Sequence, residues 1–178
     1  MSTITYPLPR NAVTGRNVIN AIVWGGLIAG VLDATDGVIA YGFQGLNPVQ
    51  VLQYIASGVL GPDSFKGGLA TAGLGTLLHF FIAFVAAAVY VSASRLIPAL
   101  NAKPRLFGPL YGVAVFFFMN YGVLPRSAVG SAPFSLGMFL NGVFGHALFV
   151  GLPIALFAGR SGGESVSHDV SRRPTVAA

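Results

Sequence analysis

The chain has 178 residues, of which 54% are hydrophobic and only 8% are charged. Soluble domains carry about 25% charged residues, so this chain has too few charges to cover a water-facing surface. A net charge of +5 would direct a soluble protein towards nucleic acid. Here the basic residues flank apolar stretches instead of forming a stripe, so the expected partner is the lipid bilayer and not nucleic acid. The absence of cysteine excludes disulfides, thiolate chemistry and cysteine-ligated iron–sulfur clusters.

Residues 1–17 are polar, contain Pro7, Pro9 and Gly15, and read as a loose cytoplasmic tail. Residues 18–43 predict the first span, long enough at about 1.5 Å per residue to cross a hydrocarbon core of about 30 Å with some tilt. Arg10 and Arg16 precede it as in a signal peptide, but a signal h-region runs for about 7–15 residues. This longer run also carries Asp33 and Asp36, so a retained signal-anchor helix is expected. Asn47-Pro48 then offers an N-cap followed by proline at the first helical position. Val51, Leu52, Ile55 and Val59 recur at helical spacing, with Gly58, Gly61 and Pro62 as terminators. A helix over 48–58 is too short to span, which predicts an interfacial or re-entrant element.

Three more spans follow at about 67–97, 106–124 and 135–159, the first of them closed by Pro98. Residues 161–178, rich in Ser, Gly and charge, read as a disordered cytoplasmic tail in which His168 is solvated. The expected fold is therefore an all-α, four-helix transmembrane bundle over 18–160, with a short interfacial or re-entrant helix between helices 1 and 2. Arg10, Arg16, Arg95, Lys103, Arg105, Arg160, Arg172 and Arg173 fall on one side, against Lys66 and Arg126 on the other. The positive-inside rule puts both termini in the cytoplasm.

Lipid gives no hydrophobic drive for helix association, so small residues mark the contact faces. Gly26 and Gly30 form one stripe with Asp33 and Gly37. Gly75 lies on a second with Ala72, His79, Ala83, Ala86 and Tyr90, and Gly142 on a third with His146, Val150 and Pro153. Gly26, Gly30, Gly75 and Gly142 are the expected helix-packing positions, and each stripe carries a polar residue. Span three is bulkier (FFFMNYGVLPR), with Asn120 as its buried amide, Tyr121 and Arg126 near the outer interface, and Pro125 as its end.

An ionisable residue inside a membrane span costs about 2.5–3.5 kcal/mol at mid-helix and is a functional candidate by default. His79 and His146 fall near the midplane, with Asp33 and Asn120 in the outer half. Together these four are the expected intramembrane polar cluster, in which Asp33 accepts a hydrogen bond from a histidine or from Asn120. Asp36 is expected near the outer interface, simply hydrated. The motifs Gly75-x-x-x-His79 and Gly142-x-x-x-His146 raise an alternative, a b-type haem held by the two histidines. No arginines for the propionates accompany them, and neither a haem nor a three-ligand metal site including Asp33 is the leading expectation. No nucleophile–base pair, phosphate loop or carboxylate dyad lies at a membrane surface, so the chain reads as non-enzymatic.

The runs LATAGLGTLLHFFIAFVAAAVYVSASRLIPAL, LFGPLYGVAVFFFMNYGVLP and FLNGVFGHALFVGLPIALFAGR resemble a group of uncharacterised bacterial multi-pass proteins. In layout they are similar, more remotely, to the YagU-like inner-membrane proteins. The resemblance covers about residues 67–160 and rests on hydrophobic pattern, His79 and the Gly145-His146 pair. It implies the bacterial inner membrane and no established activity; Asp33 and Asp36 lie outside it. The expected role is an accessory or small-solute or proton-linked membrane component, against a haem redox subunit or a structural scaffold whose glycine faces self-associate. Four short helices leave little room for a pore, which favours a homo-oligomer or a partner membrane subunit.

Overall fold

The computed structural model describes residues 15–129 and 134–160; most of the expected tails, including His168, lies outside them. The described residues form six helices and no strand. They are α1 (Gly15–Gly42), α2 (Pro48–Leu60), α3 (Gly68–Leu96), α4 (Pro98–Ala102), α5 (Pro104–Arg126) and α6 (Leu136–Arg160). Four of them are long and apolar enough to cross a membrane: α1 from Asn17, α3, α5 and α6. The fold is an all-α bundle, compatible with a multi-pass membrane protein. Its outer surface carries Trp24, Phe43, Leu69, Leu77, Phe81, Leu110, Phe118, Phe144 and Leu148 exposed. Large apolar side chains turned outward in such number suit a lipid surround and would be a liability in water.

Local chemistry accounts for the helix ends. Asn47 and Gln50 form a capping box, each side chain accepting from the other's backbone N–H, at 3.0 and 2.9 Å, with Pro48 in the first turn. Gly58 does not stop α2, contrary to expectation. The helix runs on to Leu60 and ends at Gly61, whose φ of +63° is open to glycine at no steric cost. The stretch between the second and third spans, expected as a loop, carries a short helix: Pro98 opens α4 and Pro104 opens α5. Two π-turns interrupt the spans, Phe118–Val123 in α5 and His146–Gly151 in α6. In each, the residue just before a proline donates to the carbonyl five back: Leu124 to Met119 and Leu152 to Ala147. Widening the turn moves the preceding carbonyls away from the rings of Pro125 and Pro153, which would otherwise clash.

The bundle divides by chemistry along its axis. In the half where α1 begins, Ala21, Ala29, Ala86, Ala87, Tyr90, Val91, Val150, Ile154, Ala155 and Ala158 form a dry core. Tyr90 and Tyr111 meet edge-on at 5.0 Å, and Tyr111 Oη donates to Ala86 O at 2.8 Å. Glycine sets the spacing between helices. A Cβ on Gly26 would lie 2.5 Å from the Phe84 ring, and one on Gly30 would lie 2.8 Å from Phe80. Gly112 receives the carbonyl of His146, and Gly151 receives the backbone of Gly108 and Gly112, so α5 and α6 touch backbone to backbone. Gly37, placed on the same stripe from sequence, has nothing within 4 Å of a Cβ.

The short helix α2 lies against α3 at the opposite end. Gly75 faces the Leu52 carbonyl and the Ala56 amide. Buried Gln53 donates to Gly68 O at 3.0 Å and to Thr71 Oγ1 at 3.3 Å, while Thr71 donates to Ser64 O. Ala128 N donates to Gly58 O at 2.9 Å, which ties the α5–α6 loop to α2. Gly75→Ala would drive a methyl into the Leu52 carbonyl and should cost about 1–3 kcal/mol. Gly37→Ala meets open space and should gain about 0.5–1 kcal/mol from helix propensity. Unfolding of both variants in the same micelles tests this contrast, and equal stabilities would mean that α2 is not seated on α3.

Candidate functional site

The opposite half of the bundle, where α1 ends, is polar inside. In α1, Gly30, Asp33 and Asp36 follow at steps of three, and each step turns the next residue by about 60° around the helix axis. The three therefore sweep from the α3 side to the α6 side. His79 Nε2 on α3 lies 2.8 Å from the Gly30 carbonyl. A carbonyl only accepts, so this nitrogen carries a proton. His146 Nδ1 on α6 lies 3.7 Å from Asp33 Oδ1, each side chain 23% exposed. That is too long for a hydrogen bond, and it is an ion-pair distance once the imidazole is charged. One residue-step further out, Asn141 Nδ2 on α6 donates to Asp36 Oδ2 at 2.9 Å.

Aromatic rings bound this seam. Phe80 meets His79 edge-on at 5.5 Å, and Phe116 meets His146 edge-on at the same distance. The Gly145 position leaves room for the Asp36 carboxylate: a Cβ there would lie 2.6 Å from Oδ2. The His146 side chain thus faces α1 while its backbone carbonyl rests on Gly112 of α5, at the first residue of the π-turn. π-turns interrupt spans frequently at functional positions.

Of the two partners expected for Asp33, a histidine or Asn120, the structure places it beside His146, at a distance longer than a hydrogen bond. Asn120 Nδ2 donates to Phe116 O of its own helix at 2.9 Å. Asp36, expected to be merely hydrated, accepts a hydrogen bond from Asn141, which is not among the expected site residues. The available signal was a second amide in an apolar span, five residues before His146. Among the described residues, His79 contacts the α1 backbone and no carboxylate. Among the described residues no group of three His, Cys, Asp or Glu is placed to hold a metal. The space that each glycine opens one turn before its histidine, where a porphyrin face would lie, is filled: by α2 backbone at Gly75 and by the Phe116 ring at Gly142. The two histidines are also engaged on separate interfaces, so these residues do not fit a haem between them.

Double-mutant cycles distinguish the contacts. Asp36→Ala with Asn141→Ala should couple by about 0.6 kcal/mol and by no more than about 1.7 kcal/mol, the range for interhelical hydrogen bonds in membranes. Asp33→Ala with Asn120→Ala should be additive. Unfolding equilibria in bicelles read both cycles; coupling in the second pair alone would contradict this arrangement. Comparison with protein-family models, with curated proteins and with solved structures finds no match for this chain.

Proposed function

We propose that this chain is a non-enzymatic, multi-pass component of the bacterial inner membrane, with both termini cytoplasmic, whose polar seam makes it proton-linked. The observation that carries the reading is the Asp33–His146 pair at 3.7 Å, half-buried between α1 and α6. An imidazole is neutral with one ring proton and cationic with two. Placed beside a carboxylate, it changes the attraction between two helices when it gains a proton. Asp36, Asn141 and His79 line the same half of the bundle and supply further polar groups along α1.

The location of the seam supports a sided device. The half where α1 begins is sealed by alanine and tyrosine packing, while the polar groups cluster towards the end where α1 finishes. With the termini cytoplasmic, protons would reach the seam from the outer face. The α5–α6 interface is closed by direct backbone contact at Gly112 and Gly151, which leaves little width for solute within one protomer. The working form we propose is therefore a homo-oligomer or a complex with a partner membrane subunit.

The test is pH-dependent flux or a pH-dependent conformational signal in proteoliposomes of the full chain. Asp33→Asn and His146→Ala should each abolish it, whereas Asn120→Leu, which removes an amide outside the seam, should preserve it. A response that survives Asp33→Asn unchanged would remove the proton-linked reading.

A further inference from the structure

The end of the bundle where α1 begins holds a second feature, unrelated to the seam. Here α4 leads into α5, and the last turn of α6 packs against both: a Cβ on Gly159 would lie 3.6 Å from Asn101 O and from Pro104 Cγ. Arg95, Lys103, Arg105 and Arg160 fall at this end. Arg160 holds its guanidinium 5.4 Å above the Phe157 ring. Lys103 and Arg105 are exposed on either side of Pro104 and have no ion-pair partner among the described residues. The described carboxylates, Asp33, Asp36 and Asp63, belong to the seam and to the opposite end.

Beside these two cations lies an open cavity of about 510 Å³, lined by Ala102, Lys103, Pro104, Arg105, Leu106 and Leu156. Its lining combines these two cations with the apolar side chains of Ala102, Pro104, Leu106 and Leu156. One turn deeper on α5, Leu110 follows Leu106, and both are more than half exposed. The volume is in the range of small-ligand sites, and the apolar wall continues beyond it along the helix.

We propose that this cavity binds an anionic phospholipid, its phosphate held by the Lys103 ammonium and the Arg105 guanidinium and one acyl chain lying along Leu106 and Leu110. A guanidinium matches phosphate oxygens bidentately, and basic pockets between membrane helices suit anionic headgroups. A free phosphate would use the two cations alone, whereas the leucine wall needs an aliphatic tail. The inference rests on the membrane reading, but not on the proton-linked one.

The experiment uses the full chain in detergent, titrated with dioleoyl-phosphatidylglycerol or dioleoyl-phosphatidylcholine and read by native mass spectrometry. The phosphatidylglycerol adduct should be selected, and K103Q/R105Q should lower that selectivity by roughly 25-fold, at about fivefold per charge. R126Q, at the opposite end, should leave it unchanged. Retained selectivity in K103Q/R105Q, an equal loss in R126Q, or displacement by glycerol 1-phosphate at the same concentration would each overturn the proposal. Co-flotation with phosphatidylcholine vesicles separates the two readings. A chain that fails to float fails the membrane reading, and one that floats without lipid selectivity fails this proposal alone.

Discussion

In a lipid solvent a leucine gains nothing by turning from the bilayer to the protein interior, so helices hold together where their backbones can approach. That constraint explains why the interior here is mostly glycine and alanine while most of the leucines and phenylalanines face outward. The α5–α6 pair depends on it most directly, with Gly108, Gly112 and Gly151 in mutual backbone contact. Gly26 and Gly30 play the corresponding part between α1 and α3, where each accepts a phenylalanine ring. Dispersion at close range replaces the hydrophobic effect, and dispersion weakens sharply when a gap opens. A methyl group at these positions therefore matters more than its area suggests.

Close approach also decides where polar groups can sit. Near Ala21, Ala87 and Ala155 the helices pack through small apolar side chains, and the hydroxyls of Tyr90 and Tyr111 there donate to backbone carbonyls. Towards the other end, α1 trades small apolar residues for Asp33 and Asp36. Each carboxylate is matched to a group on α6, because an unpartnered carboxylate at that depth is costly. The rotation of successive three-residue steps lets one helix serve α3 at Gly30 and α6 at Asp36. The central position of α1 between its two neighbours follows from that sweep.

Fold class was legible because hydropathy over long runs is a strong signal and backbone satisfaction in lipid leaves few architectures. The short helix was legible from Asn47-Pro48, whose capping box forms as its residue types suggest. The site was legible in composition but not in pairing. Asp33 and Asn120 share a depth, yet depth says nothing about rotation, and α5 turns Asn120 back onto its own backbone. The seam partner Asn141 was hidden because one amide next to Gly142 reads as ordinary helix. The glycines preceding the histidines fit a cofactor or a neighbour equally well in sequence. What occupies the space decides between them, and at Gly75 it is α2, an element that the spacing within α3 does not encode.

His146 is where the two principles meet. Its imidazole belongs to the polar seam through Asp33, and its carbonyl belongs to the glycine contact through Gly112. The π-turn that starts there, its far end two residues before Pro153, determines how far round α6 each group points. Truncating the side chain to alanine leaves the carbonyl on Gly112, so an effect of that change is attributable to the imidazole. Replacing Pro153 acts the other way: a regular helical turn would restore the missing hydrogen bond and rotate His146 relative to α1. Stability gained by such a repair at the expense of the pH response would mean that the irregular turn is retained for the geometry of the seam.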